Sequence, residues 1–230
     1  MNEFWQNSVY FGALLSLGTY GIGLWMKKKF HHPIFNPLLI SICICIVVLL
    51  VLRIDYTDYY EGAKYISYLL TPSTVCLAIP LYEQMEVLKK YSKGIFMGII
   101  AGVITGLCSV LGFALMFHFS HKEYVTFLPK SITTAIGMDL SKELGGYVSI
   151  TVAVIVITGL LGNLIAEGVF RIFGIREPVA KGVALGTASH AMGTAKAMEL
   201  GEIEGALSSL SIVVAGILTV VFSSVFATFI

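Results

Sequence analysis

Charge is scarce in this chain: 13% of its 230 residues are Asp, Glu, Lys or Arg, against 57% hydrophobic. With a mean hydropathy of +0.86, that scarcity excludes an ordinary water-soluble domain and points to an integral membrane protein. The 15 basic and 14 acidic residues leave a net charge of +1. They gather in no basic face and sit mostly between apolar runs, which excludes a nucleic-acid binder. There are only four cysteines, Cys43, Cys45, Cys76 and Cys108. They lie in or beside apolar runs without metal-ligand or disulfide-framework spacing, so they read as small buried hydrophobes, and no metal or cofactor is expected. No Lys or Arg precedes the first apolar run, which carries only Glu3 ahead of it, unlike the basic leader of a cleavable signal. A P-loop, an H-E-x-x-H zinc motif, a dinucleotide fingerprint and a Ser-His-Asp spacing are all missing. Ser189 and His190 are adjacent, and on a helix they diverge by about 100°, so they make no hydrolytic pair. The expectation is a protein that is not an enzyme.

Long apolar runs are what the chain has instead. Residues 8–26, 34–52, 94–118, 147–170 and 205–230 are each long enough to cross a hydrocarbon slab of about 30 Å as helices. The expectation is an all-α polytopic protein in one transmembrane domain, residues 1–230. Lys27, Lys28 and Lys29 assign residues 27–33 to the cytoplasm by the positive-inside rule. Loop 53–64 is then external, and loop 83–93, with Lys89, Lys90 and Lys93, internal, so residues 60–82 cross. Arg171, Arg176 and Lys181 make loop 171–181 cytoplasmic too. That requires the stretch between 118 and 147 to enter and leave on one side as a re-entrant hairpin. If it crosses instead, the charge rule is broken at 171–181. Between these readings the expectation is six to eight transmembrane helices.

One short phrase occurs three times, at offsets of 57 and 56 residues: Thr74-Val-Cys-Leu-Ala-Ile-Pro80, Ser131-Ile-Thr-Thr-Ala-Ile-Gly137 and Thr187-Ala-Ser-His-Ala-Met-Gly193. Each puts hydroxyls and a helix breaker into apolar surroundings. Broken backbone at membrane depth survives only where protein or a watered cavity surrounds it, and repeated discontinuous helices point to a transporter whose site lies near the midplane. Candidate repeat units are 70–118, 128–175 and 183–230. The substrate-binding candidates are Ser73 and Thr74 from the first copy, Lys130, Ser131, Thr133 and Thr134 from the second, and Thr187, Ser189, His190 and Thr194 from the third. Hydroxyls and helix N-terminal N–H groups suit a small anion. Lys130 either attracts a carboxylate or extends to the interface. His190 either carries a proton-linked charge or bonds a neighbouring helix's carbonyl. Glu199, Glu202 and Glu204 read as an acidic, solvated loop. Asn163 reads as an interhelical tie. Gly94, Gly98, Gly102 and Gly106 form a helix-packing face, for this protein's own helices, a second copy or a different subunit.

Leu70-Thr-Pro-Ser-Thr-Val-Cys-Leu-Ala-Ile-Pro-Leu-Tyr-Glu-Gln84, Leu128-Pro-Lys-Ser-Ile-Thr-Thr-Ala-Ile136 and Ala180-Lys-Gly-Val-Ala-Leu-Gly-Thr-Ala-Ser-His-Ala-Met-Gly-Thr-Ala195, with Gly201-Glu-Ile-Glu-Gly-Ala-Leu-Ser-Ser209, resemble the bacterial LrgB/CidB family over nearly the whole chain. The resemblance implies a multi-pass protein of the bacterial plasma membrane, holin-like or antiholin-like, linked to murein hydrolase activity and cytolysis beside a small LrgA/CidA-type membrane partner. It also implies, through bacterial and plastid relatives, movement of small carboxylates such as pyruvate, glycolate or glycerate. Repeated broken helices favour a carrier in the lipid bilayer over an unselective hole, and the resemblance implies monocarboxylates as what it carries. The alternative is an oligomeric holin-like pore or a regulatory scaffold.

Overall fold

The structure, a computed structural model, describes residues 10–30 and 35–230, with every side chain in them except that of Thr74. All regular structure among these residues is helical. Tyr56–Glu83, Met85–Met116, Val148–Ile172 and Glu202–Phe229 are long and apolar enough to cross a membrane, and Pro37–Leu52 is a shorter apolar helix. The chain is an all-α polytopic membrane protein, and it folds as two compact units, Met1–Cys76 and Leu77–Ile230.

In the first unit, α1 (Phe11–Phe30), α2 (Pro37–Leu52), α3 (Tyr56–Ser67) and α4 (Leu70–Cys76) follow one another. Asn36 starts α2 by accepting from Leu38 N at 2.8 Å, with Pro37 in the first turn, where its missing N–H costs nothing. Gly12 lets α1 lie against the α3 backbone, and an added Cβ would sit 2.6 Å from Ala63 N. Across this seam, Ser16 Oγ meets Tyr59 OH at 2.7 Å, and Thr19 Oγ1 meets Ser41 Oγ of α2 at 2.9 Å. Small residues and interhelical hydroxyl bonds hold helices together where surrounding lipid is as apolar as the helices themselves.

The second unit contains α5 (Ala78–Glu83), α6 (Met85–Met116), α7 (His121–Phe127), α8 (Thr134–Glu143), α9 (Val148–Ile172), α10 (Pro178–Leu200), α11 (Glu202–Phe226) and a 3₁₀ turn at Ala227–Phe229. Helices α10 and α11 turn about Gly201 and pack along their length, with α6 and α9 against α10 and both α5 and α6 against α11. Their seam is made of small residues: an added Cβ at Gly182 would lie 2.5 Å from Glu204 O, and one at Gly186 would lie 2.8 Å from Ser211 Cβ. Ile95, Ile99, Val103 and Leu107 of α6 bury one stripe with Tyr124, Leu128 and Leu207 in the main apolar cluster.

The segment between α6 and α9 doubles back. Helix α7 has 7 residues and α8 has 10, so at 1.5 Å per residue neither exceeds about 15 Å, half of a bilayer core of about 30 Å, and neither can cross. Ser120 and Glu123 close a capping box at the start of α7, and the hydrogen bonds from Ser120 hold the Glu123 carboxyl below its ordinary range. Both short helices converge on Thr151 of α9. Its Oγ1 donates to Thr126 O of α7 at 2.9 Å and pairs with Ser141 Oγ of α8 at 2.7 Å, while Thr126 Oγ1 accepts from Tyr147 N at 2.8 Å. The ends of α7 and α8 are thus pinned together, and residues 128–133 form the tip of a hairpin. Thr151→Val removes both Thr151 hydroxyl contacts, and a third to Tyr147 O at 3.2 Å, while keeping the side-chain shape. At about 1–3 kcal/mol for a buried polar group left unpaired, the expected result is a thermal midpoint in detergent lowered by roughly 4–8 °C.

Several boundaries differ from the sequence expectation. Residues 85–93 are the first turns of α6, so Lys89, Lys90 and Lys93 ride on a helix. Lys27–Lys29 are the last turn of α1, most of 53–64 is α3, and the loop at 171–181 shrinks to 173–177. Basic side chains are tolerated at helix ends because their stems extend to the interface. The run 8–26 begins outside the described residues. The cysteines are a correction too: Cys43, Cys76 and Cys108 are exposed and Cys45 half-buried, all free. In lipid the apolar residues can face outward, so burial no longer follows from hydrophobicity. The acidic stretch is not a loop: Glu199 lies in the last turn of α10 and Glu202 and Glu204 open α11, with Gly201 the single non-helical residue between the helices. While Glu199 and Glu202 are exposed, Glu204 is buried at 8% exposure.

Candidate functional site

All three recurring phrases coincide with helix interruptions. The first lies where α4 gives way to α5 at Leu77, and the second at residues 128–133 between α7 and α8. The third falls inside α10, where His190 has φ 42° and ψ −134°. A histidine in this backbone region costs on the order of 1–3 kcal/mol and persists only where its surroundings impose it. Those surroundings are visible. His190 Nε2 donates to Ile155 O of α9 at 3.0 Å, since a carbonyl only accepts. Asn163 Nδ2 donates to Met192 O at 2.9 Å, tying the helices as expected. Thr194 Oγ1 donates to His190 O at 3.1 Å and meets Ser208 Oγ at 2.7 Å. Gly159 and Gly162 of α9 leave room for the break: a Cβ on Gly159 would lie 2.8 Å from the His190 ring, and one on Gly162 would collide with Ser189.

On the opposite side of α10 lies a cleft of about 850 Å³. Its floor is the glycine row of α6. Gly98 and Gly102 touch α10, where an added Cβ would meet Val183 Cγ1 at 3.3 Å and Thr187 Cγ2 at 2.7 Å, whereas Gly94 and Gly106 have open space in front of them. The row therefore packs helices at its centre and leaves a hollow at either end, a use that a pure packing face does not have. Its polar lining is Lys130 and Ser131 from the hairpin tip, Thr187 from the interrupted helix, Thr105 and Ser109 from α6, and Tyr91 and Glu177. Lys130 Nζ donates to Ser131 Oγ at 3.0 Å, and among the described residues it forms no ion pair. Thr187 Oγ1 is buried without a hydrogen-bond partner among the described residues. Glu177 stands at the N-cap position of α10 without a side-chain capping bond; ten residues separate it from Thr187, about 15 Å along the axis. The charges are thus at opposite ends. A narrow neck of about 10 Å³ runs on from the Lys130 end between Leu107, Leu128 and Thr219, at the lower bound for one water molecule.

Gly102 lies near the middle of α6, and Gly159 and Gly162 near the middle of α9. The break in α10 faces both, so it lies at mid-depth of two long apolar helices. The hairpin tip reaches the same level, since Gly137 abuts Ile155 and Pro129 while His190 bonds the Ile155 carbonyl.

The sequence candidates separate into groups. Lys130, Ser131 and Thr187 come together in the cleft. Ser189, His190 and Thr194 are buried on the other face of α10, against α9 and α11. Thr133 is the N-cap of α8 without a side-chain bond to its N–H groups, Thr134 is that helix's first residue, and neither lines the cleft. Ser73 is exposed on α4 in the first unit, and the side chain of Thr74 lies outside the described ones. Thr105, Ser109 and Thr219 were not singled out from the sequence. Thr105 and Ser109, four apart and within a turn of Gly102 and Gly106, carry a signal only once the glycine row is read as a floor.

The LrgB-like family model matches residues 16–229. The chain belongs to this family. It is 40% identical over 225 residues to a holin-like protein CidB of Staphylococcus epidermidis, covering 98% of this chain and 96% of that one. It is 37% identical over 220 residues to the antiholin-like protein LrgB of Bacillus subtilis, covering 95% of each, and 36% identical over 222 residues to an antiholin-like LrgB of Bacillus cereus, covering 96% of each. No solved structure matches the chain. The LrgB-like chains thus share more than isolated motifs with it, and both interruptions of the second unit lie inside the matched span.

Proposed function

We propose that this LrgB-family protein carries small monocarboxylates, such as pyruvate or glycolate, across the bacterial plasma membrane. The observation that carries this reading is Lys130, held by a hydroxyl and, among the described residues, without a counter-carboxylate, facing a cleft that the two interruptions of the second unit line together. In a low-dielectric cleft an ammonium group attracts an anion far more strongly than in water. A carboxylate at Lys130 would accept from its Nζ and from Ser131 and Thr187, with Thr105 and Ser109 within the same hollow and Glu177 far enough away to leave the anion's end positive. Volume supports a small solute, since about 850 Å³ accommodates such an acid with its water. His190 and Ser189 then serve the site by holding the break open.

The names of the relatives, holin-like and antiholin-like, favour a second reading: an oligomeric pore, or a scaffold acting with a small LrgA/CidA-type membrane subunit, that influences murein hydrolase activity and lysis. Under the first reading, lysis control follows from solute movement. Reconstituted protein given labelled pyruvate or glycolate under an imposed proton gradient separates them. Saturable, competable uptake supports the carrier; leakage of unrelated solutes without saturation supports the pore; no flux of either kind supports the scaffold.

Gly106 provides a sharper variant. An added Cβ at this position meets nothing within 4 Å, so Gly106→Leu directs its side chain into the hollow. The expected result is uptake reduced at least tenfold with a thermal midpoint within about 2 °C of the parent, since surface-like substitutions stay within about ±0.5 kcal/mol.

A further inference from the structure

A second pocket lies at the turn between α9 and α10, away from the glycine-floored cleft. It is a groove of about 380 Å³ lined by Glu167, Phe170, Arg171, Gly174, Ile175, Arg176, Lys181 and Leu200. We propose that it binds the phosphodiester headgroup of an anionic phospholipid. Three cations, Arg171, Arg176 and Lys181, face the groove, and none forms an ion pair among the described residues. The one carboxylate there, Glu167, is occupied by Lys196 of α10, their charged atoms 2.5 Å apart. Glu177, adjacent to Arg176, lines the other cleft, so it does not neutralise this one. Glu167 also attracts Arg171 electrostatically, but three cations against one carboxylate shared with Lys196 leave the groove net positive, and guanidinium pairs match the oxygens of a phosphate.

Its surroundings select lipid over a soluble phosphate. Ile172 and Phe173, between Arg171 and Gly174, are 80% and 74% exposed, at the end of a helix long and apolar enough to cross a membrane. Two large apolar side chains left bare beside a cluster of cations match an interface, with the acyl region taking the rings and chains and the headgroup layer taking the charges. Basic pockets between transmembrane helices recognise anionic headgroups in this way. The turn itself is tight: Gly174 has φ 64°, and Ile175 N returns to Phe170 O at 2.8 Å. Phe170 and Ile175 thereby form an apolar back wall to the charged groove. The groove shares no lining residue with the transport cleft, so this inference does not rest on the proposed function.

Native mass spectrometry of the full chain, exchanged from detergent into mixed micelles of phosphatidylglycerol and phosphatidylcholine, reads retained lipid directly. Expected is preferential retention of phosphatidylglycerol, weakened about fivefold for each cation removed, so that Arg171→Ala/Arg176→Ala/Lys181→Ala loses it by roughly a hundredfold. Arg171→Lys/Arg176→Lys, which keeps the charge, retains most of the preference and guards against a folding defect in the alanine variant. Equal retention of the two lipids, or a preference unchanged in the triple variant, overturns the proposal. Displacement of the bound lipid by millimolar inorganic phosphate also overturns it, because the groove would then be a soluble-anion site.

Discussion

Uptake of labelled pyruvate into proteoliposomes is expected to fall by about two orders of magnitude when Lys130 is replaced by methionine. The stem of lysine and the side chain of methionine have similar length and apolar character, so the substitution removes the ammonium and little else. Removing one partner from a desolvated charge pair costs about 2–5 kcal/mol, and about 1.4 kcal/mol is a factor of ten. Lys130→Arg keeps the charge but puts a planar fork where a compact ammonium meets Ser131 Oγ at 3.0 Å, so an intermediate loss is expected. The effect falls on the concentration dependence first: a weakened ground-state complex raises the half-saturating concentration before it changes the maximal rate. A uniform loss of maximal rate with unchanged half-saturation would place Lys130 outside the binding step.

The second large effect is on stability. Gly162→Ala puts a methyl into the space held by Ser189, and its Cβ would approach Ser189 Cβ to 2.7 Å, which rotation about χ1 does not relieve. The backbone of α9 or of the break in α10 has to move, and with it the His190 and Asn163 bonds that hold that break. Overpacking costs roughly 1–3 kcal/mol and occasionally more, so a thermal midpoint in detergent lowered by about 5–10 °C is expected. The double variant Gly162→Ala/Ser189→Gly removes the obstructing atoms and should recover much of the loss. Recovery would show that the glycine is required by this contact. A double variant as unstable as the single one would show that it is not.

The membrane class was legible from composition, because a chain with so few charges has no other solvent that fits. The interruptions were legible too, since Pro80, Gly137 and Gly193 recur with hydroxyls at one spacing. The face each side chain takes was not. Thr187, Ser189 and His190 are near neighbours in sequence, yet the positive φ at His190 and the helical turn before it divide them between the cleft and the α9 seam. A histidine in an apolar segment carries no mark that tells a proton carrier from a hydrogen-bonded strut. The glycine row of α6 was visible as a small face, but only the position of α10 decides that Gly98 and Gly102 are covered while Gly94 and Gly106 stay open. Thr105, Ser109 and Thr219 resemble any hydroxyl in a membrane helix, which commonly bonds its own backbone, as Ser109 does to Gly106 O at 2.6 Å. Lysines and arginines do not mark loops in this chain, because their long stems let them ride on the ends of helices such as α1 and α6.

On the proposed function, the carried anion binds in the cleft between the hairpin tip and the interrupted helix. Ser131→Cys, in a background with the four native cysteines replaced by serine, places a thiol beside Lys130, and its labelling by a small methanethiosulfonate can be timed with and without pyruvate. Pyruvate is expected to slow labelling at least fivefold, half-maximally at the concentration that half-saturates uptake. Labelling at the same rate in saturating pyruvate, in protein that still takes pyruvate up, would contradict it.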